Sequence, residues 1–323
     1  MGDILFLAHR VPYPPDRGDK IRGFHILKRL AQRQRVHLVA FADDPRDLKE
    51  KKGLARYLGN RSIVWRSKSQ LKAGLEAIFS RRPLSLTAFD NATVRRSVEN
   101  LLARHRIDTI YVYSSQMAQY LPHRPSQRVI MDFVDMDSAK FAAYGRQSRG
   151  PMGWMLRREA RLLLQHEKAV AARADASLFV SEAEAQLFRD HSNADRVHAI
   201  ENGIDTDFFD PAAGFKPVDA IGALIVFTGQ MDYRPNIEGV TWFAEAILPR
   251  IRSAHPDARF MIVGRNPTDA VKALTAHPGV MVVGEVADVR GWLAAAAVVV
   301  APLRLARGVQ NKVLEGMAMA RPV

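Results

Sequence analysis

The residues best placed to do chemistry lie near the end of the chain. "PLRLARGVQ" (302–310) brings two arginines, Gly308 and a run of backbone amides, those of Val309, Gln310 and Asn311, to the start of a helical stretch that carries Lys312 and Glu315 three residues apart. The first turn of a helix leaves N–H groups without intrahelical partners, and its dipole favours negative charge, so this loop reads as a seat for a phosphate or diphosphate. Arg307 and Lys312 add cations. Glu315, about one turn in, is placed to accept hydrogen bonds from a pair of vicinal hydroxyls. The competing reading is structural: Glu315 complements the helix dipole and Lys312 is a solvated surface charge.

Three other stretches carry candidate groups. "ENGIDTDFFDP" (201–211) joins an Asn202-Gly203 turn to Asp205, Asp207 and a terminating proline. "DFVDMDS" (132–138) holds Asp135 and Asp137 two residues apart, to contact hydroxyls or, alternatively, to cap a helix through Asp137 or Ser138. "HRVPYPPDRGDK" (9–20) follows the first apolar run and supplies Gly18 and its neighbouring amides; His9 and His25 lie near it, where a lone histidine is more often structural.

Alternating apolar runs and amphipathic stretches must position these groups. "DILFLAH", "VHLVAF", "DTIYVYS", "RVIMDF" and "ASLFV" read as strands of a parallel sheet covered on both faces, with helices expected over 19–33 and 154–174 and a capping box at Ser181 and Glu184. A second series, "ALIVFTG", "ARFMIVG", "GVMVVG" and "AVVVAP", is separated by helical patterns at 236–254, 267–276 and 288–296. Its first three strands end on glycine, which lets backbone approach a ligand in the crevice where such sheets bind. The expected architecture is α/β with two Rossmann-like domains, 1–210 and 211–323, and a ligand between them.

Composition narrows the classes. With 323 residues two domains are the default, and with no cysteine there is neither disulfide nor thiolate chemistry. The apolar runs are too short to span a membrane, so a cytoplasmic protein is expected. The net charge of +13 is concentrated before Pro211, where Lys and Arg exceed Asp and Glu by ten. No nucleic-acid signature accompanies it, so an anionic membrane surface is the better outlet and nucleic acid is not expected as a partner. "RSKSQLKAGLEAIFSRRPLSL" (66–86) mixes Leu71, Leu75, Ile78 and Phe79 with five basic residues, and "RGPMGWMLRR" (149–158) is a second candidate. Each could lie on a bilayer as a peripheral contact or be an ordinary helix packed on the core.

"ENGIDTDFFDP", "IVFTGQMDYRPN" and "KVLEGMAMARPV" occur in the order found in glycosyltransferases of the GT-B fold and GT4 type, which the chain resembles along nearly its whole length. "VPYPPDRGDKIR", "MDFVDMDS" and "TGQMDYRPN" make it most similar to bacterial sugar transferases of exopolysaccharide clusters. The resemblance implies two domains facing across a cleft and transfer of a sugar from a nucleotide diphosphate sugar to a saccharide or lipid-linked acceptor hydroxyl. It implies retention of configuration, with neither metal nor other cofactor. On this pattern Glu315 holds the donor ribose, and Arg234, Lys312, Arg307 and the amides of Val309 to Asn311 stabilise the leaving diphosphate. Asn202, Gly229 and Gln230 line the donor site, Gly18 closes over the phosphates, and Asp135 or Asp137 meets the acceptor or sugar. Gln230 and Asn236 stand where many members carry Arg and Lys, which leaves Arg234 as the substitute, and Arg307 replaces a usual Glu. Asp135-x-Asp137 also resembles the metal-binding pair of another glycosyltransferase fold, but its place in a two-domain pattern argues against a metal. Members of the family continue through another strand and helices, so the second domain is expected to be truncated. A sugar-nucleotide epimerase of the same fold and a noncatalytic sugar-nucleotide or membrane-surface binding protein are the alternatives.

Overall fold

The computed structural model describes residues 2–15, 18–49, 51–219, 221–303 and 310–323. The chain forms two units, Met1–Glu201 and Asn202–Val323, the division falling ahead of Pro211. The first unit is a seven-stranded parallel sheet of β1 (Asp3–Ala8), β2 (Val36–Ala42), β3 (Leu58–Trp65), β4 (Ile107–Tyr113), β5 (Arg128–Val134), β6 (Ala176–Phe179) and β7 (Val197–Ala199). Their order is β3-β2-β1-β4-β5-β6-β7. Leu5, Phe6, Leu7 and Ala8 of β1 are completely buried, as continuous apolar strands in a sheet covered on both faces should be.

The two strands beyond those expected from sequence, β3 and β7, are the edges. Edge position removes the demand for an unbroken apolar run, and in β3 Gly59, Asn60 and Arg61 are exposed. Four helices of this unit matter below: α1 (Gly18–Ala31), α2 (Gln70–Ser80), α3 (Asp137–Gln147) and α4 (Gly150–Ala171). A fifth, α5 (Glu182–His191), opens as expected, with the Ser181 hydroxyl accepting from the Glu184 amide. Strand order reverses between β1 and β4, and ligands of open parallel sheets bind outside the carboxyl ends at such a point.

The second unit is a four-stranded parallel sheet, β8 (Leu224–Thr228), β9 (Arg259–Val263), β10 (Val280–Gly284) and β11 (Val298–Val299), ordered β10-β9-β8-β11. Its switch point lies between β8 and β11. The helix expected over 236–254 is broken: α6 (Arg234–Trp242) passes into a π turn at Phe243–Ile247 before helix resumes at Leu248. Pro249 explains the break, because it lacks an N–H and its ring crowds the preceding turn. The last helix, α7 (Asn311–Ala318), is close to expectation. Among the described residues no helix is long and apolar enough to cross a membrane.

A buried charge ties the first unit together. Asp132 on β5 is wholly inaccessible and accepts from Arg22 Nε (3.1 Å) and Nη2 (3.2 Å), from the Tyr111 hydroxyl (2.7 Å) and from the Val134 amide (3.1 Å). Arg22 also donates to the Ile200 carbonyl at 2.7 Å, so one guanidinium joins α1, β5 and the segment leaving β7. Breaking such a pair strands an uncompensated charge. Arg22→Met should therefore lower the stability of this unit by about 3–5 kcal/mol in chemical denaturation. Adding Asp132→Asn, which keeps an acceptor for Tyr111 and removes the charge, should recover part of the loss.

Candidate active site

Lys312 and Glu315 sit on successive turns of α7, which follows β11 and therefore enters the switch point beside β8. Lys312 is not the solvated surface charge that the structural reading offered. Lys312 is 7% exposed, its Nζ donating to Asn236 Oδ1 at 3.0 Å and lying 4.2 Å from the centre of the Phe227 ring. Asn236 is oriented in turn by donating its own Nδ2 to the Gln230 carbonyl at 2.8 Å. Glu315 Oε2 accepts from the Thr228 hydroxyl at 3.5 Å. Burial pulls the Lys312 ammonium down to about 8, with Glu315 opposing the shift, and burial pushes the Glu315 carboxyl up, with Lys312 and Thr228 opposing it.

Two glycines make room for this arrangement. A Cβ on Gly264 would fall 1.7 Å from the Gly229 carbonyl oxygen, so the ends of β8 and β9 touch backbone to backbone. A Cβ on Gly229 would lie 2.9 Å from Asn236 Nδ2 and 3.4 Å from Lys312 Nζ. Asn202 belongs to the same cluster, its Nδ2 3.5 Å from Asn311 Oδ1, and Gln310 precedes the first turn of α7 and accepts from the Val313 amide at 2.9 Å. Thus Asn202, Gly229, Gln230, Gln310, Asn311, Lys312 and Glu315 converge at one end of one sheet. Arg234, the first residue of α6, is 61% exposed at its side chain and pairs with Glu238 at 2.7 Å. Arg307 and Val309 lie outside the described residues. Sequence reasoning passed over Asn236 because it stands where a lysine is common. Its structural role is to hold Lys312, and a residue two positions into a helix that follows a strand–glycine turn was the available signal.

The remaining candidates lie at the carboxyl edge of the first sheet. Gly18 is the exposed first residue of α1. Asp135 follows β5, and Asp137 opens α3 within 3.6 Å of Lys140 without capping the helix. Their loop is held from beneath by buried carboxyl groups: Glu184 accepts from the Met136 amide at 2.8 Å, and Glu167 accepts from the Ser138 amide at 3.1 Å and is bonded to its hydroxyl. Val134, just before the loop, has a φ of 70°, a strained setting for a β-branched residue.

His9, at the end of β1, has more definition than a lone histidine. Its Nε2 is 3.5 Å from Asp19, its ring stacks on Tyr113, and its buried Nδ1 has no hydrogen-bond partner among the described residues. Burial alone would raise the Asp19 carboxyl, but the hydrogen bond from His9 and the charge of Arg10 hold it at about 2. At the opposite edge of the same sheet, Asp3, His37 and His105 lie together. There the Asn60 amide donates to His37 Nδ1 at 3.2 Å, so the ring proton sits on Nε2 and is given to Asp3 at 2.9 Å. That ring has no lone pair left for a metal.

These two parallel-sheet units have the architecture of a glycosyltransferase of the GT-B fold. Residues 23–208 match glycosyltransferase family 4, and 222–323 match the family described as glycosyl transferases group 1. The chain belongs to glycosyltransferase family 4. No curated protein matches it in sequence. Among solved structures it is similar to Anabaena HepE in complex with UDP and glucose, at 15% identity and a TM-score of 0.65 over 100% of this chain and 80% of that one. It is similar to OtsA at 14% identity and a TM-score of 0.65, over 98% of this chain and 81% of that one. A third is the trehalose 6-phosphate synthase of Burkholderia multivorans, at 13% identity and a TM-score of 0.60 over 100% and 83% of the two chains.

Burial raises Glu167 from 4.5 to about 8, Ser138 notwithstanding, so the folded chain keeps a proton that the unfolded chain gives up. Stability should therefore fall as pH rises from about 4.5 to about 8 and level off above that, with a slope of up to ~1.4 kcal/mol per pH unit. Glu167→Gln should remove the share of this slope that Glu167 contributes, in denaturation measured across the same range.

Proposed function

We propose that the chain transfers a sugar from a nucleoside diphosphate sugar to an acceptor hydroxyl, with retention of configuration and without a metal, in assembly of an exopolysaccharide or glycolipid. The acceptor is a saccharide or a lipid-linked saccharide, reached at the inner face of a membrane. The observation that carries the reading is the buried Lys312, held by Asn236 and with no carboxylate within salt-bridge distance among the described residues, next to Gly229 and the first turn of α7. UDP is the first nucleotide to test, because the solved HepE structures contain it.

In the transfer, the bond from the anomeric carbon to the diphosphate oxygen breaks and a bond to the acceptor oxygen forms on the same face of the sugar. The acceptor proton passes to the departing phosphate oxygen. Negative charge grows on the diphosphate as the bond lengthens, and preorganised positive charge there lowers the barrier most. Lys312 supplies that charge from a site already stripped of water, together with the amides of Gln310 and Asn311; Arg234 and the loop bearing Arg307 add to it. Because Lys312 and the helix terminus meet the charge, the reading calls for no metal ion. Glu315 accepts from the ribose hydroxyls, whose approach replaces the water its carboxylate has lost. Asp135, Asp137 and Gly18 belong to the acceptor and sugar side.

Glu315→Gln should weaken UDP binding by about 1–3 kcal/mol in titration calorimetry. Lys312→Met should lower turnover by roughly ten- to thousandfold with a confirmed donor and acceptor. In the wild type, Lys312 loses its proton near pH 8 when free, whereas the bound diphosphate needs the ammonium, so UDP binding should weaken as pH rises above about 8. That dependence should vanish in Lys312→Met. Interconversion of sugar nucleotides without any acceptor would mark an epimerase and contradict the proposal.

A further inference from the structure

Helix α2 is built inside out. Its small residues face the protein, Ala73 and Ala77 being buried at 0% and 2%, and its large ones face water. Leu71 and Phe79 are each 84% exposed, Leu75 60% and Ile78 58%. Spaced four, three and one residues apart, they form a single stripe. The ordinary alternative, a solvated helix packed on the core, would place those side chains inward. A Cβ on Gly74 would meet nothing within 4 Å, so that face is open as well.

A second exposed group adjoins the first. Met152, Trp154 and Met155, in the first turns of α4, are 56%, 58% and 39% exposed. Arg158, one turn beyond Trp154 on the same face, donates to the Ala77 carbonyl at 2.6 Å and also reaches the Arg82 carbonyl, so the beginning of α4 is fastened to the end of α2. Glu159 completes the joint by accepting from the amides of Leu84 and Ser85 at 2.7 and 2.8 Å. The two apolar groups are therefore carried by helices joined to each other.

Its placement and charge are equally specific. His166 contacts the Ser115 carbonyl at 3.1 Å and Glu167 the Ser138 amide at 3.1 Å, which fixes the later part of α4 at the carboxyl edge of β4 and β5. The helix from Gly150 to His166, about 24 Å long, carries its opening turns beyond that edge. Lys72, Arg81, Arg149, Arg157 and Arg161, all exposed, stand on the same two helices or at their ends. Of the acids in 66–86 and 149–161, Glu76 is paired with Lys68 at 2.7 Å and Glu159 is buried in the joint.

We infer that α2 and the start of α4 form a docking surface for an anionic lipid bilayer, lying in its interface with Leu71, Leu75, Phe79 and Trp154 in the acyl boundary and the cations among the headgroups. A soluble polyanion would engage the arginines and leave the apolar stripe in water. An ordinary protein partner would explain the stripe but not exposed charge of one sign on the same helices. The inference rests on the proposed function only for what the bilayer offers, an acceptor presented at the sheet edge that carries Asp135 and Asp137; the binding itself requires no turnover.

Sedimentation with vesicles tests it on the full chain. The protein should partition onto phosphatidylglycerol–phosphatidylcholine vesicles and remain free with phosphatidylcholine alone. Leu75→Glu combined with Phe79→Glu should reduce partition at least tenfold, and Lys72→Glu and Arg149→Glu by roughly fivefold or more each. Because these side chains are exposed, melting temperature and UDP affinity should stay at wild-type values, which separates loss of docking from misfolding and from failure of the donor site. Absence of binding to anionic vesicles, or binding that these variants leave intact, would overturn the inference. So would a concentration-dependent dimer in lipid-free solution that the same variants abolish, since the surface would then join two copies of the chain.

Discussion

Much of the second unit depends on one unfavourable act, the burial of an ammonium group among β8, α6 and α7. A lysine taken out of water must lose its proton or gain partners. Among the described residues Lys312 has one hydrogen bond, to Asn236, and the face of Phe227, enough to hold it in place but not to replace its hydration. Its chain of orientation runs from Lys312 to Asn236 to the Gln230 carbonyl, and the contact of Gly229 with Gly264 keeps that turn close enough to serve. On the proposed reading, this is a positive charge held ready for an anion at the place where helix amides point the same way.

The first unit uses its buried charges differently. Arg22 and Asp132 satisfy each other and, through Tyr111, Val134 and Ile200, set the geometry of the strand ends. Glu167 and Glu184 then carry the Asp135–Ser138 loop on their carboxyl groups. These groups are used up in holding backbone, whereas His9 Nδ1 and Lys312 keep capacity in reserve.

The central strands were legible in the sequence because a parallel strand covered on both faces is mostly apolar; β1, β2, β4, β5, β8 and β9 follow this, with the buried Asp132 of β5 and His37 of β2 as polar exceptions. The edges β3 and β7 were not, since one side of an edge strand answers to solvent. The break in the helix after α6 was present in the sequence as Pro249, but the apolar period on either side masked it. Of the candidate site, Lys312 and Glu315 could be named from their spacing behind a glycine. Their burial could not, because it depends on the close approach of β8 and β9. Asn236 and the inverted face of α2 were hidden for a shared reason: a residue's type gives its usual neighbourhood, and only packing reveals when a polar residue supports a charge or a leucine faces outward.

The account is tested most directly by locating a diphosphate. An electron-density map from crystals of the chain soaked with UDP should place the two phosphates against the first turn of α7 within hydrogen-bonding distance of Lys312 Nζ, with the ribose hydroxyls on Glu315. Density for the diphosphate elsewhere, or at that helix with Lys312 still bonded to Asn236 and turned from it, would contradict the claim that this buried lysine is the organising charge of the site.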